Sequence, residues 1–296
     1  MKTDSGNTLF HLIAIIIVAV WGLTFISTKT LLLTGLTPEE IFVVRFSIAY
    51  AGLWILQAGR HPELFCRSFR DEMLLVIAGV TGGSLYFWAE NTALEYTMTS
   101  NVSFIVCTTP LVTALLYSAV KKEKLGKWML SGSVMALLGI AMIAFSGADE
   151  FRLGLLGDVL AMVASFTWAV YTIVTNGMLE RYPSMMVSRK VFFYGVLTMI
   201  PVIAVKGWTF PLSGFLEAKV LLNIVFLSVV ASLGCYATWN LVIKRLGAVK
   251  SSNYIYLNPL FTLLGATLIL GERMAPLAAI GCLVTLAGVW VAGRNS

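Results

Sequence analysis

The chain is a succession of ten apolar runs, at 9–28, 41–58, 73–94, 98–120, 127–146, 154–176, 187–205, 220–241, 251–270 and 275–292, joined by short polar segments. A hydrocarbon core is crossed by about 20 apolar residues in a helix, and within it each backbone N–H and C=O has to find its partner inside the protein. The runs therefore predict an all-α integral membrane protein of ten transmembrane helices, embedded in a lipid bilayer, with little chain left over for a domain in water. Composition agrees. Of 296 residues 58% are hydrophobic and 12% charged, whereas soluble domains hold roughly 45–50% and about 25%. The first run has a long core and no small-residue cleavage site ahead of a polar stretch, so it reads as a span rather than a removable leader.

Lys and Arg exceed Asp and Glu, 21 against 15. They fall in short clusters between the runs and build no basic domain, which argues against nucleic acid as a partner and for a role in setting topology. With the N-terminus inside, the inner segments hold Lys2, Arg60, Arg67, Arg70, Lys121, Lys122, Lys124, Lys127, Arg181, Arg189, Lys190, Lys244, Arg245, Lys250 and Arg294. The outer segments hold only Lys29, Arg152, Lys206, Lys219 and Arg273, and Arg45 lies within the second run. Basic residues stay on the cytoplasmic side, so both termini are predicted cytoplasmic, in a cell inner membrane. Cys66, Cys107, Cys235 and Cys282 are far apart, form no CxxC pair and have no histidine neighbours. Neither a disulfide framework nor a metal site is expected, and no cofactor is implied.

Sliding the sequence by 149 residues superposes Pro110 on Pro259, Thr113 on Thr262, Glu123 on Glu272, Gly132 on Gly281, Gly139 on Gly288, Asn91 on Asn240 and Ser103 on Ser252. At a shift of 147, Trp21 falls on Trp168. The chain thus reads as two five-helix repeats, 1–148 and 149–296. Five is odd, so the second copy enters the membrane upside down, the usual construction around a midplane site. Glu123 in a lysine-rich inner loop and Glu272 in an outer turn fit that inversion.

Trp21-Gly22 with Lys29 in the first run, Ala93-Leu94-Glu95-Tyr96-Thr97 leading to Pro110, and Leu270-Gly271-Glu272-Arg273 together resemble the EamA-type members of the drug/metabolite transporter superfamily. The resemblance covers essentially the whole chain. It implies a ten-helix fold with a pathway lined by spans 1–4 and 6–9, spans 5 and 10 at the periphery, and export of amino acids or other metabolites. More distant relatives move nucleotide sugars or phosphorylated sugars. In the first half the family's Leu-Gly-Glu-Arg turn is replaced by Lys122-Glu123-Lys124-Leu125, which keeps the glutamate.

Several residues are candidates for transport. Pro110 and Pro259 lie about halfway along spans 4 and 9, where proline frees the carbonyl four residues back, those of Val106 and Ile255; a packing kink and a hinge both fit. Trp21 and Trp168 are too deep in their spans for headgroup anchors. With Tyr86, Tyr171, Tyr254 and Tyr256, and with Thr24 and Asn258 beside them, they are read as the wall of a substrate cavity, with core packing as the other reading of each. Arg45 and Glu90 sit at similar depth and are expected to pair as a salt bridge, either an outer gate with Glu90 open to proton coupling or a static structural pair. Lys29, with Asn176 as its counterpart, and Asn91 with Asn240 are gate candidates, and helix capping or interhelical hydrogen bonding explains them equally well.

An intramembrane enzyme would need a nucleophile with a base, paired carboxylates or metal ligands at depth. The two histidines, His11 and His61, lie at a span end and in a loop, and no HExxH or GxSxG occurs. A channel usually repeats a filter around an axis between subunits, whereas the symmetry here is within one chain. No GxxxxGK[ST] loop occurs, so bound ATP is not the driving force. The reading is an alternating-access exporter of small metabolites, an amino acid with an apolar or aromatic side chain suiting the Trp/Tyr wall. A nucleotide-sugar or sugar-phosphate exchanger is the alternative, and the working unit is a monomer or a homodimer.

Overall fold

The computed structural model describes residues 5–58, 63–97, 99–122, 124–146, 155–270 and 275–293, and among them there are helices and turns but no strand. The helices are α1 (Ser5–Leu33), α2 (Pro38–Leu56), α3 (Phe69–Gly79), α4 (Leu85–Tyr96), α5 (Thr99–Val106), α6 (Thr109–Lys121), α7 (Lys127–Ser146), α8 (Leu155–Leu179), α9 (Ser184–Lys206), α10 (Ala218–Val225), α11 (Ala237–Leu246), α12 (Ala248–Asn253), α13 (Asn258–Leu270) and α14 (Pro276–Ala292). A π turn, Val80–Ser84, carries α3 into α4, and a longer π segment, Phe226–Tyr236, carries α10 into α11. Six stretches are long and apolar enough to cross a membrane: Thr8–Leu33, Phe69–Tyr96, Val102–Lys121, Leu155–Leu179, Ser184–Lys206 and Ala218–Leu246. Lys127–Ile143 and Pro276–Ala292 are shorter apolar helices.

Local chemistry sets the boundaries. α2 begins earlier than its apolar run, at Pro38, because Thr37 and Glu40 form a capping box in which the Thr37 hydroxyl accepts from the Glu40 N–H and the Glu40 carboxylate accepts from the Thr37 N–H. The third run begins earlier for the same reason, the Ser68 hydroxyl accepting from the Asp71 N–H at 3.1 Å. α9 and α11 end on Gly207 and Gly247, with φ of 82° and 84°, a backbone conformation that glycine adopts without a Cβ penalty.

The runs at 98–120 and 251–270 are not continuous helices. The first is interrupted at Cys107 and Thr108; the second passes through a 3-10 turn, Tyr254–Leu257. Pro110 and Pro259 therefore stand in the first turns of α6 and α13 rather than inside helices, where a missing N–H removes no hydrogen bond. Their freed carbonyls are satisfied. Val106 O accepts from the Thr109 hydroxyl at 2.6 Å, and Ile255 O from the Cys107 thiol at 3.5 Å. Irregularity also recurs at an offset of 149: 80–84 maps to 229–233, within the second π segment, and 107–108 maps to 256–257, within the 3-10 turn.

The two halves interdigitate. α4 lies along α8, α2 along α9, α1 along α13, and α6 against α8. α7 and α14 form the most extensive pair and run antiparallel. A Cβ added to Gly132 would sit 2.6 Å from Gly288 O, and one added to Gly139 would sit 2.6 Å from Gly281 O. The backbones touch because these positions carry no side chain, the usual device for helix contact where lipid offers no hydrophobic drive. Leu138, Leu283 and Trp290 face outward from this pair, 60%, 68% and 62% exposed. The four cysteines are free.

Candidate functional site

Trp21, Thr24 and Phe25 of α1, Arg45 of α2, Tyr86, Phe87 and Glu90 of α4, Val106 and Thr109 at the α5–α6 break, Trp168 of α8, Ile255 and Asn258 enclose a central cavity of about 30 Å³. That is room for about a water or two. Seven α-helices, the 3-10 turn and both halves contribute. Trp21 and Trp168 meet edge to face at 5.5 Å between centroids, and Tyr86 lies 4.7 Å from Trp168. Behind them Trp239 backs Trp21 at 5.0 Å, while Tyr171 and Tyr236 back Trp168 at 5.0 and 5.7 Å. The wall is rigid aromatic surface, with contact geometries that stabilise such pairs by about 0.5–1.5 kcal/mol beyond area burial.

The π turn shapes this wall. Tyr236 donates its hydroxyl to Gly82 O at 2.7 Å, a carbonyl within the π turn. Gly82 also lets the Tyr171 ring lie on the backbone, since a Cβ there would meet that ring at 2.2 Å.

Arg45 and Glu90 are both buried, 4% and 8% exposed, and both face the cavity. They do not pair. Among the described residues the ion pairs are Arg181–Asp71, Lys190–Glu72 and Lys206–Glu39. In place of the expected salt bridge, each is engaged by another partner. Arg45 donates Nε–H to Ser232 Oγ at 2.5 Å, and its guanidinium lies 4.6 Å from the Phe87 ring centroid and 5.3 Å from that of Phe46. Glu90 Oε1 accepts the Tyr86 hydroxyl at 2.6 Å. Two further polar atoms of the lining, Trp168 Nε1 and Asn258 Oδ1, are buried with no hydrogen-bond partner.

Side-chain contacts tie the two halves together at each end of the bundle. At the far end, where α1 finishes, Glu39 pairs with Lys206 and accepts the Trp88 indole N–H at 3.0 Å. Glu40 Oε1 accepts the N–H groups of Thr209 and Phe210 at 2.5 and 2.9 Å, fastening the segment after α9 to the start of α2. At the near end, where α1 starts, Arg189 donates to Gln57 Oε1 at 2.6 Å and to Glu63 O, fastening the segment after α2 to the start of α9. Lys190 and Tyr194 hold Glu72 there, and Arg181 and Tyr182 hold Asp71.

Trp21, Thr24, Tyr86, Trp168 and Asn258, expected in a cavity wall, line one cavity, and Arg45 and Glu90, expected at an outer gate, line it with them. Tyr171 stands just behind, donating to Asn240 Oδ1 at 2.6 Å, and Asn240 in turn donates to Ser188 Oγ at 2.9 Å. Asn91, its counterpart, is buried with Oδ1 unpartnered. Lys29 donates to Leu94 O at 2.7 Å, a carbonyl in the last turn of α4, so it pins a helix end. Tyr254 and Tyr256 are not in the lining: Tyr254 bonds His11, and Tyr256 packs with Cys107, Ala136 and Ile140 beside α7. The 3-10 turn rotates both away and presents Ile255 instead. Phe25, Phe87 and Thr109, together with Trp239 and Tyr236 in the backing layer, escaped the sequence reading. The 149-residue offset, which maps Phe87 to Tyr236 and Glu90 to Trp239, was the signal for part of this set. Glu123 and the turn Gly271-Glu272-Arg273 lie outside the described residues.

Because the carbonyl of Val106 is held by Thr109, the hydroxyl matters more than the proline. Thr109→Val is expected to lower stability by about 1–3 kcal/mol, the cost of a buried acceptor left unpaired, whereas Pro110→Ala should shift it by less than about 1 kcal/mol. Thermal unfolding of the two purified variants gives the comparison; equal losses would contradict it.

A family model described as the EamA-like transporter family matches residues 8–145 and 155–294. The chain is 28% identical to an uncharacterized transporter of Archaeoglobus fulgidus over 96% of its own length and 97% of the relative's. It is 27% identical, over 77% and 75%, to a probable terminal-alkyne amino-acid exporter of Streptantibioticus cattleyicolor. It is 21% identical, over 94% and 93%, to a probable amino-acid metabolite efflux pump of Salmonella typhimurium. A solved crystal structure at 19% identity shares the fold, with a TM-score of 0.77 over 98% of this chain and 97% of that one. With its several apolar helices and a family match over most of its length, the chain belongs to the EamA-like transporter family and is a multi-pass membrane transporter, not an enzyme.

Proposed function

We propose that the protein crosses the inner membrane ten times as two inverted five-helix repeats, 1–148 and 149–296, with both termini cytoplasmic, and that it exports small metabolites, amino acids among them, by alternating access of the Arg45–Glu90 cavity. The observation that carries this reading is the likeness of its two end closures. At the offset of 149, Glu40 corresponds to Arg189 and Gln57 to Lys206. The contacts of Arg189 with Gln57 and Glu63 O at the near end, and those of Glu39 and Glu40 with Lys206, Thr209 and Phe210 at the far end, thus join corresponding segments of the two halves, the start of one helix to the stretch around the end of another. Two equivalent latches on either side of one central cavity are what alternating access requires: releasing one opens one side. The antiparallel contact of α7 with α14 supports the inversion. Helices at corresponding places in a tandem repeat meet Gly132 to Gly288 and Gly139 to Gly281 when one copy is turned over.

A cavity of about 30 Å³ is too small for a metabolite, so loading requires one end to open. Arg45 is the one Lys or Arg in the lining, and Lys29 is engaged with Leu94 O. That favours a small substrate over a phosphorylated sugar, whose charge calls for several cations. The cavity lies within one chain, so a monomer suffices as the transport unit. In proteoliposomes, saturable counterflow of labelled amino acids, accelerated by unlabelled substrate on the opposite side, is expected. Non-saturable flux would mark a channel, and exchange confined to sugar phosphates would replace the substrate class.

A further inference from the structure

We propose that Arg45 and Glu90 are the two halves of one recognition site for a zwitterion: Glu90 receives an ammonium group, Arg45 a carboxylate, and the rings of Trp21, Phe25 and Trp168 the side chain attached between them. This rests on the exporter reading above and adds the groups that do the selecting.

Opposite charges buried in one small cavity normally join, because an uncompensated charge away from water is costly. Here both face the same space and remain further apart than 4.0 Å, each restrained by a protein group. Ser232 takes Arg45 Nε–H, the Phe87 ring lies 4.6 Å from the guanidinium, and Tyr86 occupies Glu90 Oε1. That leaves the two terminal nitrogens of Arg45 and the second oxygen of Glu90 with no hydrogen-bond partner among the described residues. Trp168 Nε1 and Asn258 Oδ1 add an orphaned donor and an orphaned acceptor in the same lining. The unfilled set is thus donors for a carboxylate and acceptors for an ammonium.

A guanidinium fork matches a carboxylate with two parallel hydrogen bonds, and an ammonium offers three donors to a carboxylate and an amide oxygen. An amine without a carboxylate would bring positive charge beside Arg45 and leave it uncompensated. An acid without an ammonium would do the same to Glu90. Only a ligand carrying both charges satisfies the pair, and selection of this kind works by leaving buried groups unpaired in the wrong complex.

The test measures ligand-induced thermal stabilisation of the purified full chain in detergent. The probes are L-phenylalanine, L-leucine and L-methionine, each beside the amine lacking its carboxylate and the acid lacking its ammonium. At least one amino acid is expected to bind at least tenfold tighter than both of its singly charged analogues. In Arg45→Gln its affinity should fall to that of the amine, and in Glu90→Gln to that of the acid, with Arg45→Lys recovering part of the loss. If either neutral variant does not yield a monodisperse protein, Trp168→Phe, which removes the indole N–H, should weaken the amino acid more than the amine. An amine or acid that binds as tightly as its amino acid would overturn the assignment, as would retention of the preference in the variants. A folded protein stabilised by none of the nine compounds overturns it too. Saturable counterflow of a nucleoside or sugar phosphate would then keep the carrier reading, and its absence would remove both.

Discussion

In Glu40→Ala the central cavity will react from the far end at least tenfold faster than in the parent protein. Glu40 is 1% exposed, and one carboxylate oxygen holds Thr209 N–H at 2.5 Å and Phe210 N–H at 2.9 Å while the other holds Thr37 N–H at 2.9 Å. Alanine leaves these donors unpaired and frees the segment after α9 from α2. A loss of about 3 kcal/mol, the upper end for a buried hydrogen-bonding group, changes the ratio of open to closed forms on the order of a hundredfold. The reporter is a Thr24→Cys variant with the four native cysteines replaced, since Thr24 lines the cavity. An impermeant maleimide applied from the far side should label it faster in Glu40→Ala, and Glu40→Gln, which keeps a carbonyl acceptor, should fall between. Arg189→Ala removes the corresponding hold on Gln57 and Glu63 O and should speed labelling from the near side. If both variants raise labelling from the same side, or neither does, the two latches are not gates.

A second large effect is expected at the rim. Gly139→Leu will push α7 off α14, because a Cβ there already falls 2.5 Å from Thr285 N and 2.6 Å from Gly281 O. Backbone atoms cannot step aside as a flexible side chain can. Overpacking of this kind costs about 1–3 kcal/mol and occasionally more; the rigid neighbours put this site at the upper end. Leu138→Ala, one residue away at a position 60% exposed, should change stability by less than about 0.5 kcal/mol, since lipid tails are as apolar as the side chain removed. Thermal melting of both variants in the same detergent separates the two cases. A Gly139→Leu protein that melts with the parent would show that the α7–α14 contact contributes little.

Part of the site is legible in the amino-acid sequence. Trp21, Arg45, Glu90 and Trp168 stand out because a charge or a large polar ring deep in an apolar run is costly unless something inside the protein uses it. What spacing did not reveal was orientation. Tyr254 and Tyr256 sit close to Pro259 in sequence, yet the 3-10 turn there points Ile255 inward and sends the tyrosines to His11 and to α7. Lys29 reads equally as a gate charge and as a helix cap, and only the fold shows that its long side chain reaches Leu94 O at the end of α4. Pro110 read as a kink inside a helix, and the chain breaks just before it, so that the proline starts a new one.

The sequence by itself determined that the chain lives in lipid and where its apolar runs lie. Those outcomes follow from the local cost of exposing apolar groups to water or unpaired backbone to hydrocarbon, and each run carries that cost alone. It also determined that two halves repeat, because matching residues at one offset is a property of the string. Only the tertiary structure decided what those residues do together. How Arg45 and Glu90 are engaged depends on Ser232, which the second π segment brings to Arg45, and on the packing of α4 against α2, which puts Phe87 over the guanidinium while Tyr86 of the same helix takes Glu90. Whether the segments after α9 and after α2 are fastened depends on a carboxylate at position 40 or a guanidinium at 189 finding backbone groups 170 or 126 residues distant in sequence. Contacts of that range are set by how ten runs pack against one another, which no single run encodes.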